Sequence, residues 1–144
     1  SSDLPKTAYF LWNDDYEYTT ALLKRHIGYY VPASEVVHKT KVFGSSDADP
    51  GARFYNEVRN KIWLWRGSRG NFTRTERVLF LLKTVRRWAL TWLRSPDRTV
   101  IADCLRRGWH DGWHTTPERN TRIDFGDAAV NRAVRACEGA PTDD

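Results

Sequence analysis

The chain has little of what marks a secreted, disulfide-bonded or membrane-spanning protein. Its 144 residues include two cysteines, Cys104 and Cys137, and no methionine. Two cysteines this far apart predict no disulfide framework, so a reduced cytoplasmic setting is expected. No apolar run is long enough to cross a bilayer, and the N-terminus has no signal-peptide pattern. A chain that starts at Ser1 and lacks methionine is expected to be part of a longer protein.

The composition is that of a globular chain with an uneven charge. Hydrophobic residues make up 40% of the sequence and aromatic residues 13%, enough for a packed core. Residues 1–50 carry 5 basic and 7 acidic side chains, residues 51–115 carry 14 and 5, and residues 116–144 carry 4 and 6. The basic middle segment predicts an anionic partner surface, either lipid headgroups or nucleic acid.

The first fifty residues follow the order strand, helix, strand. Residues 8–12 are a short apolar run, and a helix from Asp14 or Asp15 to Ile27 is predicted, with Gly28 just beyond its end. Residues 29–31 and 35–38 predict a second, interrupted strand. The sequence therefore predicts an α/β layer in residues 1–50.

Helical periodicity replaces this pattern after a Gly/Ser/Asp/Pro-rich loop at residues 44–51. Apolar residues at helical spacing predict helices over residues 55–65, 75–93, 98–107 and 127–137. We therefore predict an α/β segment over residues 1–50, a basic helical subdomain over residues 51–115, and a tail over residues 116–144 with a short helix.

Two adjacent carboxylates followed by a histidine are the strongest chemical signal. Asp14 and Asp15 follow the first predicted strand, and His38 ends the second. Inverting transfer of a sugar needs a base that deprotonates the acceptor hydroxyl. It also needs a divalent cation that neutralises the leaving diphosphate, and carboxylate or imidazole ligands suit Mn²⁺ or Mg²⁺.

Four segments carry a resemblance to a known family: Phe10-Leu-Trp-Asn-Asp-Asp-Tyr-Glu-Tyr18, Gly28-Tyr-Tyr-Val-Pro32, Val36-Val-His-Lys39 and Phe54-Tyr-Asn-Glu-Val-Arg-Asn-Lys-Ile-Trp63. They resemble glycosyltransferase family 2 of the GT-A fold, most closely its galactofuranosyl- and rhamnosyltransferases. The resemblance extends over residues 8–66 and weakens over residues 67–115. The upstream Asp-x-Asp motif and nucleotide-binding strands of the family are absent from this sequence. The resemblance therefore implies the C-terminal, acceptor-side portion of a transferase that is inactive alone.

The resemblance also implies roles for individual residues. One of Asp14 and Asp15 is the general base, and we favour Asp15, with Asp14 in a supporting role. His38 is a ligand of Mn²⁺ or Mg²⁺, and Trp12 lines the acceptor pocket. Arg59, Asn60 and Lys61 either contact an acceptor diphosphate or form a solvated face. The implied partners are a UDP- or dTDP-sugar, bound mainly by upstream residues, and a glycolipid or cell-wall glycan acceptor.

Plainer interpretations stay open for each of these residues. Adjacent aspartates before a helix are commonly caps, and a histidine at a strand end is commonly structural. The predicted helix at 75–93 carries an apolar stripe that packs in the core, lies on an anionic membrane, or does both. In the membrane interpretation the contacts are Trp88, Trp92, Arg86 and Arg87, and the protein is peripheral on the inner face of the plasma membrane.

Two further hypotheses belong to other classes of protein. Basic residues interleaved with aromatic ones can bind single-stranded nucleic acid, but no nucleic-acid-binding motif occurs, so no nucleic-acid partner is expected. The other hypothesis is a non-catalytic helical module that binds membrane, protein or nucleic acid, in which Asp14 and Asp15 only stabilise a helix start.

Overall fold

The computed structural model describes residues 4–37 and 49–139. Within these ranges the chain forms α-helices joined by short 3₁₀ turns at Thr7–Tyr9, Gly51–Arg53, Arg69–Asn71 and Asn120–Arg122. The helices are α1 (Asp14–Leu23), α2 (Phe54–Gly67), α3 (Arg74–Arg94), α4 (Arg98–His114) and α5 (Ala128–Glu138). No β-strand occurs in the described ranges. Residues 4–37 and 49–139 therefore form an all-helical domain, and the predicted α/β class is wrong.

The apolar run at residues 8–12 does not form the predicted strand, because its carbonyl groups have a different partner. The run begins inside a 3₁₀ turn, and Phe10 and Trp12 adopt positive φ angles of 60° and 65°. The side-chain amide of Asn60, on α2, donates hydrogen bonds to the carbonyl oxygens of Tyr9, Leu11 and Trp12. A strand needs a neighbouring strand for these groups, so the side chain of Asn60 replaces the sheet.

The second predicted strand is also wrong in its described part, since residues 29–31 and 35–37 are exposed and belong to no sheet. Helix α1 ends at Leu23 rather than at Ile27. Beyond it, the amides of Arg25 and His26 both donate hydrogen bonds to the carbonyl oxygen of Leu22. His38 lies outside the described residues.

The core lies between α2 and α4. It consists of Phe54, Val58, Ile62, Ile101 and Cys104, all nearly inaccessible to water. Two glycines of α4 allow the helices to approach closely. A Cβ on Gly108 would lie 2.8 Å from Val58 Cβ, and a Cβ on Gly112 would lie 2.8 Å from Ile62 Cβ. Glycines four residues apart share one helix face, so Gly108 and Gly112 both face α2. Helix α4 ends at His114 and not at residue 107, where the sequence predicted its end.

The helices predicted from periodicity over residues 55–65, 75–93 and 127–137 are confirmed, and local capping explains where α3 and α4 begin. Thr73 Oγ1 accepts a hydrogen bond from the Glu76 amide at 3.2 Å, while Glu76 Oε2 accepts one from the Thr73 amide at 2.7 Å. This reciprocal pair is a capping box. Asp97 caps α4 by accepting from the Val100 amide at 3.1 Å.

Candidate functional site

The turn that leads into α1 has an unusual backbone. Phe10, Trp12 and Asn13 have φ angles of 60°, 65° and 68°, a region that residues with a Cβ seldom adopt. A helix that starts from Asn13 in this conformation has no side-chain hydrogen bond at its N-cap. Such conformations persist only where surrounding contacts impose them, and they cluster at functional sites.

Asn60 imposes this conformation from α2. Its side chain is fully buried, and Nδ2 donates to the carbonyl oxygens of Tyr9, Leu11 and Trp12 at 2.8, 2.9 and 3.0 Å. Its Oδ1 accepts from Arg59 Nε at 3.1 Å, so both ends of the amide are used. The side chain of Asn60 therefore holds the turn in front of the two aspartates against α2.

Three carboxylates stand in the first turn of α1, where the helix dipole favours negative charge. Glu17 turns inward and is 8% exposed, accepting from Lys6 Nζ at 2.7 Å and from Ser68 Oγ at 3.2 Å. Asp14 is half-buried and Asp15 is exposed. Asp15 Oδ1 accepts from the Tyr16 amide at 2.7 Å, which fixes one oxygen of this carboxylate.

Burial also shapes the environment behind this turn. Tyr9 is fully buried and packs edge-on against Trp63, with ring centroids 5.7 Å apart. Desolvation raises the pKa of the Tyr9 hydroxyl far above its ordinary range, and the negative charge of Glu17 raises it further. Tyr9 is therefore a neutral packing residue at any physiological pH.

A cavity of about 980 Å³ opens beside the two aspartates, between α1, α2 and α3. One wall is aromatic: the rings of Tyr16, Phe72 and Phe80 stack on one another with centroids 6.0 to 6.4 Å apart. The rest of the lining includes Trp12, Asp14, Asp15, Lys24, Glu57, Lys61, Lys83, Thr84 and Arg87. Aromatic faces and charges of both signs therefore surround one space.

Glu57 organises the basic side of this cavity. It is 4% exposed, and its Oε1 lies 3.4 Å from Lys61 Nζ and 3.3 Å from Arg87 Nε. These are ion pairs without hydrogen-bond geometry. Lys61 Nζ also stands over the ring of Phe80, 5.1 Å from its centroid. Thr84 lines the same cavity, and its buried hydroxyl has no hydrogen-bond partner among the described residues.

The structure brings several of the predicted site residues together. Trp12, Asp14, Asp15, Lys61 and Arg87 all line the cavity. Arg87 was predicted as a membrane contact, and it contacts Glu57 there.

Other predicted site residues lie elsewhere. Arg59 binds the N-terminal segment, because its Nη2 donates a hydrogen bond to the Ala8 carbonyl oxygen at 3.3 Å. Its guanidinium also lies 4.3 Å from the ring centroid of Trp63. Trp88 is half-buried against the core, while Trp92 is exposed and carries Arg98 over its ring at 5.5 Å. Arg86 is exposed on α3.

The sequence did not point to Glu57, and it suggested Asn60 only as a contact of the acceptor diphosphate, whereas Asn60 binds the backbone before α1. Glu57 and Lys61 are four residues apart, a spacing that predicts an ion pair on one helix face. The spacing predicts an ion pair on the protein surface. In the structure Glu57 is buried, and it also forms an ion pair with Arg87 on α3. Asn60 follows Arg59 in a helix interior, a position where asparagine is disfavoured unless its amide has a specific partner.

Comparison with known proteins identifies no relative, since no family model, curated protein or solved structure matches the chain. Among the described residues no group of three or more His, Cys, Asp or Glu side chains is placed to hold a metal ion. The same part of the chain contains no helix long and apolar enough to span a bilayer. The predicted metal ligand His38 lies outside it.

Proposed function

We propose that this chain supplies the acceptor side of an inverting, nucleotide-sugar-dependent glycosyltransferase. The proposal is supported chiefly by one observation: Asp14 and Asp15 line a cavity of about 980 Å³ together with aromatic and basic side chains. In this proposal the acceptor is a glycolipid or a cell-wall glycan. The UDP- or dTDP-sugar donor is held mainly by residues outside this chain.

Asp15 is the base in the proposed reaction. Its carboxylate takes the proton from an acceptor hydroxyl while that oxygen bonds to the anomeric carbon of the donor sugar. The bond from this carbon to the nucleotide diphosphate breaks on the opposite face, and the configuration inverts. Because Asp15 Oδ1 already accepts from the Tyr16 amide, Oδ2 is the oxygen that receives the proton. Asp14, half-buried next to it, orients the acceptor.

The cavity walls match the chemistry of a sugar carried on an anionic group. Apolar faces of sugar rings stack on aromatic side chains, and the cluster of Tyr16, Phe72 and Phe80 offers such faces. Lysine and arginine suit phosphate oxygens, and Lys61, Lys83 and Arg87 stand along the same cavity. The unpartnered Thr84 hydroxyl offers one further hydrogen bond to a ligand.

A divalent cation would neutralise the diphosphate as it leaves. Asp14 and Asp15 are the only carboxylates of the described part that the resemblance connects with this chemistry, and they do not complete a metal-ligand set there. In the proposed reaction the carboxylates alone take up the proton, and Mn²⁺ or Mg²⁺ stays a prediction for the complete enzyme.

The test is a transfer assay with the full-length protein that carries this chain. Asp15→Asn keeps the size of the side chain and removes the base, so kcat should fall on the order of 10³-fold while KM for the nucleotide sugar changes little. Asp49→Asn replaces an exposed aspartate outside the cavity lining and should leave kcat unchanged. Full turnover by Asp15→Asn, with loss in Asp14→Asn, would assign the base to Asp14; full turnover by both would reject the proposal.

One observation favours a second candidate, a non-catalytic helical module. Asp14, Asp15 and Glu17 together occupy the first turn of α1, where acidic residues stabilise a helix without any other role. In that case Asp15→Asn lowers the stability of α1 but leaves every activity of the full-length protein intact.

A further inference from the structure

Helix α3 exposes most of the apolar stripe that its sequence shows. The inner face of the helix carries Phe80, Thr84 and Trp88, which are half-buried or buried. The outer face carries apolar residues that are 38 to 61% exposed: Val78, Leu81, Leu82, Val85, Trp92 and Leu93. Ala89 lies among them and is also exposed. The interpretation of this stripe as a core face is therefore wrong, apart from Trp88.

These residues form one continuous surface, called here the outer face of α3. At 100° per residue, Val78, Leu82, Val85, Ala89 and Leu93 fall within one third of the helix circumference. The surface runs from Val78 to Leu93, so it is about 22 Å long at a rise of about 1.5 Å per residue. Soluble monomers seldom expose contiguous apolar patches larger than a few hundred Å², and larger ones mark interaction sites.

The charges that border this face are basic. Residues 77–96 contain no aspartate or glutamate. Lys83 and Arg87 line the cavity, on the opposite side of the helix from this face. Arg86 follows Leu82 by one helical turn and borders the face on one side. Arg98 lies over Trp92 at 5.5 Å and borders it on the other. A partner must therefore be apolar at its centre and anionic on both flanks.

We propose that the outer face of α3 lies in the headgroup region of an anionic lipid bilayer, with its axis parallel to the membrane plane. Interfacial helices combine an apolar face with basic borders, and they sink about 5–10 Å into the boundary between headgroups and acyl chains. Arg86 and Arg98 meet lipid phosphates, and Trp92 sits at the headgroup level, where indole rings concentrate. Helix α3 lies on the membrane and does not cross it.

A bilayer fits this surface better than a second copy of the chain does. Two outer faces packed on each other would bring the Arg86 side chains that border them together, and residues 77–96 of either copy supply no acidic partner. An anionic headgroup layer supplies negative charge along both borders at once. The proposal does not depend on glycosyl transfer, because the cavity residues are not part of this face.

The experiment is vesicle flotation with the 144-residue chain at low and high salt. Vesicles of phosphatidylcholine mixed with phosphatidylglycerol should bind the chain, and vesicles of phosphatidylcholine alone should bind it far less. Leu82→Glu should weaken binding to the mixed vesicles on the order of tenfold, since it removes an apolar contact and places negative charge against anionic lipid. Ile27→Glu is the matched control, because Ile27 is 81% exposed but lies outside α3; it should bind as the original chain does.

Three outcomes would overturn the proposal. The first is no flotation with the mixed vesicles at low salt. The second is binding that salt abolishes but that Leu82→Glu leaves unchanged, which would mean charge attraction without contact of the apolar face. The third is a dimer in sedimentation velocity that Leu82→Glu converts to a monomer, which would assign the face to a second copy. Far-UV circular dichroism of each variant checks that the helices persist.

Discussion

Asn60 Nδ2 lies 2.8 Å from the carbonyl oxygen of Tyr9, although 51 residues separate the two in the sequence. The same amide nitrogen donates to the carbonyl groups of Leu11 and Trp12. One buried side chain thereby fixes the backbone immediately before Asp14 and Asp15. The position of the candidate base depends on a residue that itself has no part in the chemistry.

Replacement of Asn60 should therefore destabilise the fold strongly. Asn60→Ala leaves buried carbonyl groups without a donor, and the free energy of unfolding should fall by about 2–4 kcal/mol. Asn60→Asp has nearly the same size but sets a carboxylate against those carbonyl groups, and it should cost at least as much. Urea unfolding measures both. Asn56→Ala, one turn earlier on α2, should change the free energy by less than about 1 kcal/mol; an Asn60→Asp variant as stable as the original chain would contradict this account.

The close contact of α4 with α2 should make Gly108 intolerant of a methyl group. Gly108→Ala sets its Cβ 2.8 Å from both Val58 Cβ and the Tyr55 carbonyl oxygen. Overpacking of this kind costs about 1–3 kcal/mol, more than the helix propensity that alanine adds. Gly67→Ala is the control, since no atom lies within 4 Å of its Cβ position. Gly67→Ala should be neutral or raise the free energy of unfolding by up to about 1 kcal/mol. In thermal unfolding, Gly108→Ala should melt below the original chain, and Gly67→Ala should melt at the same temperature or above it.

Glu17 should act through structure and not through chemistry. It joins Lys6 and Ser68 to the first turn of α1, so Glu17→Gln should lower the free energy of unfolding by about 1–2 kcal/mol. Glu118→Gln changes an exposed glutamate and should be neutral within about 0.5 kcal/mol. Chemical denaturation of the two variants compares them directly. Equal stability of both variants would mean that the Lys6 and Ser68 contacts contribute nothing to the fold.

The hydrogen bond from Tyr55 Oη to Asp111 Oδ2, 2.6 Å long, should give the α2–α4 contact a defined pH window. The bond from Tyr55 lowers the pKa of Asp111, and the contact of Asp111 with His110 lowers it further. Burial, and then the bond to Asp111, raise the pKa of Tyr55. A lowered carboxyl pKa contributes stability above its ordinary value of about 4, and this is lost as the pH falls through the folded-state pKa. A raised tyrosine pKa contributes below about 10, and this is lost as the pH rises through the folded-state pKa.

The difference in unfolding free energy between the original chain and Tyr55→Phe should thus be largest between about pH 4 and 10. It should shrink on both sides of this window. Urea titrations at a series of pH values measure it. A difference that does not change with pH would show that the bond does not couple to either ionisation.

The helices were predictable to different extents. Periodicity and caps gave α2, α3 and α5 nearly to their ends, because apolar spacing and local hydrogen bonds are properties of neighbouring residues. The end of α4 was not predictable, because a glycine at position 108 suggests from the sequence alone that the helix stops. Only the structure shows that Gly108 lies inside the helix, where Val58 leaves no room for a Cβ. The strand over residues 8–12 was predicted wrongly because a short apolar run does not reveal that a distant asparagine binds its carbonyl groups.

The candidate site shows the same division. The pair Asp14 and Asp15 stands out in the sequence because two carboxylates follow an apolar run. That Lys61 and Arg87 lie on the same cavity depends on Glu57, which bridges α2 and α3 from a buried position. No local pattern predicts a contact between residues 30 positions apart.

Asn120 ties the N-terminal segment to the chain beyond α4. Its side chain accepts from the Thr7 amide and donates to the Pro5 carbonyl, across 113 and 115 residues of chain. Bringing together residues so far apart in the chain costs more conformational entropy than forming a helix, whose contacts are local. The N-terminal segment should therefore dock only after α2 and α4 have packed, so the turn before Asp14 should be among the last parts to form and the first to open.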